Sequence, residues 1–123
     1  MNIDTIMVID DDLASHMVTE NVIHQYDSSI KILKADDGLE ALEILDTLEQ
    51  QPSLILLDIN MPRMDGFEFL EEYALRENKS NIIAMYTSSS DERDKNKTAK
   101  YPFVKKYFLK PIQVNDLESL KNI

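Results

Sequence analysis

A chain of 123 residues, 43% of them hydrophobic, is long enough for one core and too apolar for a disordered segment. It has no cysteine and no apolar run of bilayer length, which excludes disulfides, thiolate metal sites and a helical membrane span, and points to a soluble cytoplasmic protein. The net charge of −10 is uneven, with 20 acids against 5 bases in residues 1–92 and 8 bases against 3 acids in residues 93–123, and the acidic bulk argues against direct binding of nucleic acid.

Ile3 to Ile9 reads as a first strand that stops at Asp10-Asp11-Asp12. A helix follows, with Ala14, Met17, Val18, Val22 and Tyr26 at spacings of three and four. Asp12 is placed to cap it, because an aspartate there accepts from the orphan N–H groups of the first turn. His16 and His24 read as exposed histidines on this helix. Ile30 to Ala35 is a second strand, and Asp36-Asp37-Gly38 a turn. Ala41, Leu42, Leu45 and Leu48 mark one face of a second helix, which Pro52 closes.

Leu54-Ile55-Leu56-Leu57 is an uninterrupted apolar run, the pattern of a strand buried on both faces. It ends at a carboxylate, Asp58, and Pro62 forces a loop. Asp65-Gly66 opens a third helix carrying Phe67, Leu70, Tyr73 and Ala74. Ile82 to Tyr86 is a fourth strand ending at Thr87. A charged helix spans roughly Asp91 to Lys100, and Pro102 stops it. Its bases, with Lys105 and Lys106, either face an acidic partner or form a solvated face. Val104 to Leu109 is a fifth strand ending at Lys110-Pro111, and Val114, Leu117 and Leu120 mark a last short helix.

Five β-α units argue for an α/β fold: a flavodoxin-like doubly wound (βα)5 domain with a five-stranded parallel sheet, order 2-1-3-4-5, spanning 1–123 as one domain. The carboxyl ends of parallel strands share one edge. That order therefore brings Asp10 and Asp11, Asp58, Thr87 and Lys110 together. With only Gly38 and Gly66 in the chain, no glycine-rich loop exists to hold a nucleotide. Two carboxylates ~4 Å apart repel by about 4 kcal/mol at an effective dielectric near 20. Three need a cation or raised pKa values. Lys110 offsets part of the charge, and the remainder suits a hard divalent ion with oxygen ligands, Mg²⁺ above all. A carboxylate in such a place can accept a phosphoryl group.

These pieces resemble the receiver domain of two-component response regulators, of the chemotaxis-regulator type. The carriers are VIDD at 8–11, LLDINMPRMDG at 56–66, YT at 86–87 and YFLKP at 107–111. The resemblance implies that Asp58 is the phosphoacceptor and that Asp10, Asp11, Asp58 and the Asn60 carbonyl hold Mg²⁺, Asp11 directly and Asp10 largely through water. It implies Thr87 as switch hydroxyl, Lys110 as the lysine that meets the phosphoryl group, and Tyr107 as the aromatic whose rotamer follows phosphorylation. The residue-level alternative for Tyr107 is an ordinary tyrosine with a buried ring and a wet hydroxyl. Pro111 matches the family's proline, often preceded by a cis bond. Asn60 and Ser89 match positions that tune hydrolysis of the aspartyl phosphate.

The implied function is a signalling switch. A sensor histidine kinase or histidine phosphotransfer protein donates to Asp58, and the surface of the fourth helix, fifth strand and fifth helix then controls a partner protein. Such a domain takes phosphate from small donors and loses it again without being a multiple-turnover enzyme. The family usually carries a Gly-Ala-like pair before the fifth strand. Residues 100–106 have neither, so the fourth helix is expected to be short, shifted or mobile. Two rival readings remain. One is a haloacid-dehalogenase-like Mg²⁺-dependent phosphatase, which Asp10-Asp11-Asp12 also resembles. The other is a pseudo-receiver that binds partners without phosphorylation. No output domain follows Ile123, so the chain reads as a stand-alone receiver or as part of a longer protein.

Overall fold

In the computed structural model, which describes residues 2–77, 79, 82–88 and 91–123, strands and helices alternate five times. The elements are β1 (Thr5–Ile9), α1 (Leu13–Tyr26), β2 (Lys31–Ala35), α2 (Gly38–Thr47), β3 (Leu54–Leu57), α3 (Gly66–Ala74), β4 (Ile82–Thr87), α4 (Glu92–Thr98), β5 (Val104–Leu109) and α5 (Val114–Glu118). All strand pairs are parallel, in the order β2-β1-β3-β4-β5. The expected doubly wound sheet is what forms. Ser89, read above as a tuning position, lies outside the described residues.

Successive side chains of a strand point to opposite faces, so the central strands feed two cores. Ile6, Val8, Leu54, Leu56, Ala84 and Tyr86 pack with Ile23 of α1 and with Leu117 and Leu120 at the α5 end. Met7, Ile9, Ile55, Leu57, Ile83 and Met85 pack with Ala41 and Leu45 of α2 and Phe69, Leu70 and Tyr73 of α3. Each residue of β3 is fully buried, which is why the run shows no polar alternation.

The starts of α1 to α4 are set by aspartates. Asp12 accepts from the N–H groups of Ala14 and Ser15, as expected. Asp37 caps α2, Asp91 caps α4, and Asp65 caps α3 in a reciprocal pair with Glu68.

The inward face of α1 differs from the reading of its sequence. Met17 and Val18 are exposed, and so is Leu13. The buried positions are His16, Thr19 and Ile23. Two polar residues can face the sheet because each has a partner there. His16 Nε2 lies 2.6 Å from the Asp10 carbonyl, and Thr19 Oγ1 lies 2.8 Å from the Tyr86 hydroxyl. His16 is therefore a buried structural histidine, whereas His24 is exposed as expected. In α4 only Thr98 is buried, so this helix is short and thinly attached.

Candidate functional site

The site forms because each polar strand end is stitched into its neighbour's ladder. The Asp10 N–H donates to the Ala35 carbonyl at 3.0 Å, and the Asp58 N–H to the Ile9 carbonyl at 3.0 Å. The Lys110 N–H donates to the Thr87 carbonyl at 2.8 Å. Residues 10, 58 and 110 are thus the first past β1, β3 and β5, and Thr87 is the last of β4. The Lys110–Pro111 bond is cis, as the family pattern implies.

Lys110 joins the carboxylates. Its Nζ donates to Asp10 Oδ2 at 2.6 Å and to Asp58 Oδ2 at 3.1 Å. Asp10 is fully buried and has little capacity to spare. Its Oδ2 also accepts from Ser15 Oγ at 2.6 Å, and its Oδ1 from the Asp12 N–H at 3.0 Å. Asp58 Oδ1 accepts the Ile59 N–H at 2.8 Å, which fixes the plane of that carboxylate. Asp11 is exposed, and its carboxylate accepts none of the hydrogen bonds found among the described residues.

The electrostatics separate the two buried acids. Burial pushes Asp10 up, but the hydrogen bonds from Lys110, Ser15 and Asp12 outweigh it and hold Asp10 below its ordinary value. Burial also pushes Asp58 up, and there Lys110 does not fully offset it, so Asp58 stays raised, with the Asp10 charge adding to the rise. Burial pulls Lys110 down, yet Asp10 and Asp58 together hold it above its ordinary value. One oxygen each from Asp10, Asp11 and Asp58 falls within a mutual distance of 4.8 Å. An all-carboxylate oxygen set of this size fits a hard divalent cation, and no softer ligand lies in the cluster.

The loop after β3 is held tightly. A Cβ at Gly66 would lie 2.4 Å from the Asp58 carbonyl oxygen and 2.9 Å from Ile59 Cα. Only glycine allows that approach. The Gly66 N–H donates to the Ile59 carbonyl at 2.8 Å, closing the loop on itself. The other glycine also serves this loop: the Gly38 N–H donates to the Met64 carbonyl at 3.0 Å. Arg63 takes a left-handed φ of 62°, and its Nε donates to the buried Asp37 carboxylate at 2.7 Å.

Thr87 is buried at the same edge. Asn60 is exposed on the loop, two residues past Asp58. Tyr107 is half-buried on β5, with Lys95 Nζ of α4 5.4 Å from its ring centroid. Burial, and then the acids Asp94, Asp91 and Glu92, push its phenol up. The sequence reading missed Ser15, took His16 for an exposed histidine and gave Tyr86 no role of its own beyond the YT pair, yet all three support this edge. Ser15 sits three past the cap Asp12, a spacing that returns a helical side chain toward the strand end. Nothing local marks the partners that bury His16 and the Tyr86 hydroxyl.

A doubly wound parallel sheet with paired acids, a lone aspartate, a hydroxyl and a lysine on four neighbouring strand ends defines a signalling receiver, and its acidic site fits a phosphoacceptor role. The family model described as the response regulator receiver domain matches residues 6–121, and the chain belongs to that family. The haloacid-dehalogenase reading is thereby set aside.

Among curated proteins, the chain is 30% identical over 89% of its length to a probable C4-dicarboxylate response regulator of Priestia megaterium, covering 46% of that protein. It is 33% identical over 97% of its length to a probable transcriptional regulator of Porphyridium aerugineum, covering 47% of it. The chain thus spans about half the length of these relatives. Among solved structures, a two-component response regulator from Cytophaga hutchinsonii superimposes with a TM-score of 0.85 at 30% identity, over 99% of this chain and 96% of that one.

Response regulators work between kinases and downstream targets, and receiver domains are signalling modules that bind Mg²⁺ in general. Among the described residues no helix is long and apolar enough to cross a membrane.

Proposed function

We propose that this chain, as one domain over residues 1–123, is a phosphorylation switch whose acceptor is Asp58. The observation that carries the reading is Lys110 Nζ bridging Asp10 and Asp58 at the carboxyl edge of the sheet. In the reaction, an Asp58 carboxylate oxygen forms a bond to phosphorus. The bond from phosphorus to the donor's imidazole nitrogen breaks, and its electrons stay on that nitrogen, which solvent protonates. The Ile59 N–H keeps the attacking carboxylate in place. The Lys110 ammonium leaves the carboxylates and pairs with a phosphoryl oxygen, and the Thr87 hydroxyl meets another.

Asp11 and Asp58, with the Asn60 carbonyl, are the proposed direct Mg²⁺ ligands. The Asp10 carboxylate is occupied by three donors and acts through water, in keeping with the expectation from the family. Held there, Mg²⁺ would supply neutralisation of the negative charge that gathers at the site.

The donor is a sensor histidine kinase or a histidine phosphotransfer protein. The exposed apolar residues Leu13, Met17 and Val18 of α1 flank the site and offer it a surface. Such donors work in the cytoplasm, which is the proposed location. The output runs through Thr87 and Tyr107 to the α4-β5-α5 face, where a protein target prefers one shape. Lys95 ties Tyr107 to α4, so a change in the tyrosine ring loosens that helix. The chain holds one phosphoryl group and loses it by hydrolysis, without turnover of a substrate.

The test is intact mass after incubation with acetyl phosphate, with and without Mg²⁺, on the wild type and Asp58→Asn. A Mg²⁺-dependent gain of one phosphoryl group, absent from the variant, is expected. No gain in the wild type under any condition would overturn the reading and favour the pseudo-receiver.

A further inference from the structure

Tyr86 sits on β4 next to the proposed switch residue, on the opposite face of the sheet from Met85. The position is 1% exposed and packed among Val8, Leu56, Ala84 and Phe108, so an aliphatic side chain would satisfy the core. A tyrosine there must bury a hydroxyl, which costs free energy unless the hydroxyl is paired. Its two partners come from distant elements. Thr19 Oγ1 of α1 lies 2.8 Å away, and the Ile112 N–H donates to the hydroxyl at 3.0 Å. Ile112 is two residues past Lys110, across the cis Lys110–Pro111 bond. The ring of the same tyrosine faces the lysine, with Lys110 Nζ 5.3 Å from its centroid. The ammonium therefore has three neighbours: the Asp10 carboxylate, the Asp58 carboxylate and the π-face of Tyr86.

We propose that Tyr86 is the positioning residue for Lys110, holding its ammonium through the ring and its loop through the hydroxyl. Lysine is a flexible four-carbon stem with a point charge, so its aim depends on what surrounds it. If Asp58 takes the phosphoryl group, its carboxylate becomes an acyl phosphate and that contact of Lys110 is lost, and the Asp10 contact loosens as the ammonium turns to a phosphoryl oxygen. The aromatic face does not change. It is the contact kept while the ammonium moves from carboxylate oxygen to phosphoryl oxygen, and attraction to a ring face within about 6 Å is strongest where water is excluded. The hydroxyl sets the height of the Ile112 backbone, and with it where the lysine stem begins. The inference rests on the reading of Asp58 as acceptor.

The test separates ring from hydroxyl. Tyr86→Phe removes the hydroxyl and keeps the ring. It is expected to speed hydrogen exchange at the Ile112 amide about tenfold and to leave the upfield ring-current shift of the Lys110 ε-methylene protons in place. Phenylalanines bearing one, two and three ring fluorines at position 86 then weaken the π-face with almost no change of shape. The initial rate of phosphorylation by acetyl phosphate with Mg²⁺ is expected to fall about twofold per fluorine. A purely structural tyrosine would show no such gradient. A wild type that gains a phosphoryl group while the fluorine series stays flat overturns the role of Tyr86 and leaves Asp58 standing. A wild type that gains none overturns both.

Discussion

β3 with its loop and α4 are built in opposite ways. β3 is four aliphatic residues with no exposed side chain, and the loop after it is locked by Gly66, Gly38 and the Arg63–Asp37 pair. α4 is seven residues, ERDKNKT, with only Thr98 buried. Among its other attachments are Lys95 over Tyr107 and Lys97 over Phe67, with Nζ 4.8 Å from the Phe67 centroid. Phosphoryl transfer needs an acceptor held within fractions of an ångström, so it sits where packing leaves no alternative. A readout needs an element whose two states differ by little free energy, and a helix on lysine stems provides one.

Substitutions can break this contrast at either end. Leu56→Ala empties a fully buried site and is expected to cost about 3 kcal/mol in urea unfolding. A cost below about 1 kcal/mol would mean the sheet centre is not the rigid part. Gly66→Ala forces a Cβ against the Asp58 carbonyl, with an expected cost of about 2 kcal/mol and loss of most phosphorylation by acetyl phosphate.

The Arg63–Asp37 pair gives a smaller effect that depends on pH. Burial pushes the Asp37 carboxyl up, but Arg63 and the Glu40 N–H more than offset it, so the carboxyl titrates below its ordinary value of 3.8. Its contribution to stability is therefore full above that value and is lost as pH falls below it, through the lowered value of the folded state. Asp37→Asn keeps the helix cap and loses the ion pair, so below about pH 4 its unfolding free energy should decline less steeply than the wild type's. Equal slopes would show that the pair does not hold the loop.

The smallest effect belongs to α4. Lys97→Ala removes an exposed contact and should cost about 0.5 kcal/mol.

The same contrast governs what the sequence discloses. The β3 side was legible because an apolar run that stops at Asp58 marks both strand and site, and because Pro62 and Gly66 punctuate the loop. Lys110 and Asp10 were legible for the same reason. The face of α1 was not. Periodicity assigns Met17 and Val18 inward, yet His16 and Thr19 face the sheet because Asp10 and Tyr86 satisfy them, and the Thr19–Tyr86 pair is 67 residues apart in the chain. Local hydrophobicity carries no trace of such a partner. For α4, the lack of a Gly-Ala pair left a short, shifted or mobile helix open, of which the short one forms, and gave no sign that Lys95 would seat over Tyr107.

Hydrogen exchange by mass spectrometry on the wild type and Asp58→Asn, each with Mg²⁺ with and without acetyl phosphate, tests the central claim most directly. The account predicts that α4 amides exchange fastest among the helices. On addition of the donor, protection should change in the wild type over α4 and β5, stay constant over β3, and not change in the variant. Equal protection of α4 and β3, or a donor-induced change that survives in Asp58→Asn, would contradict it.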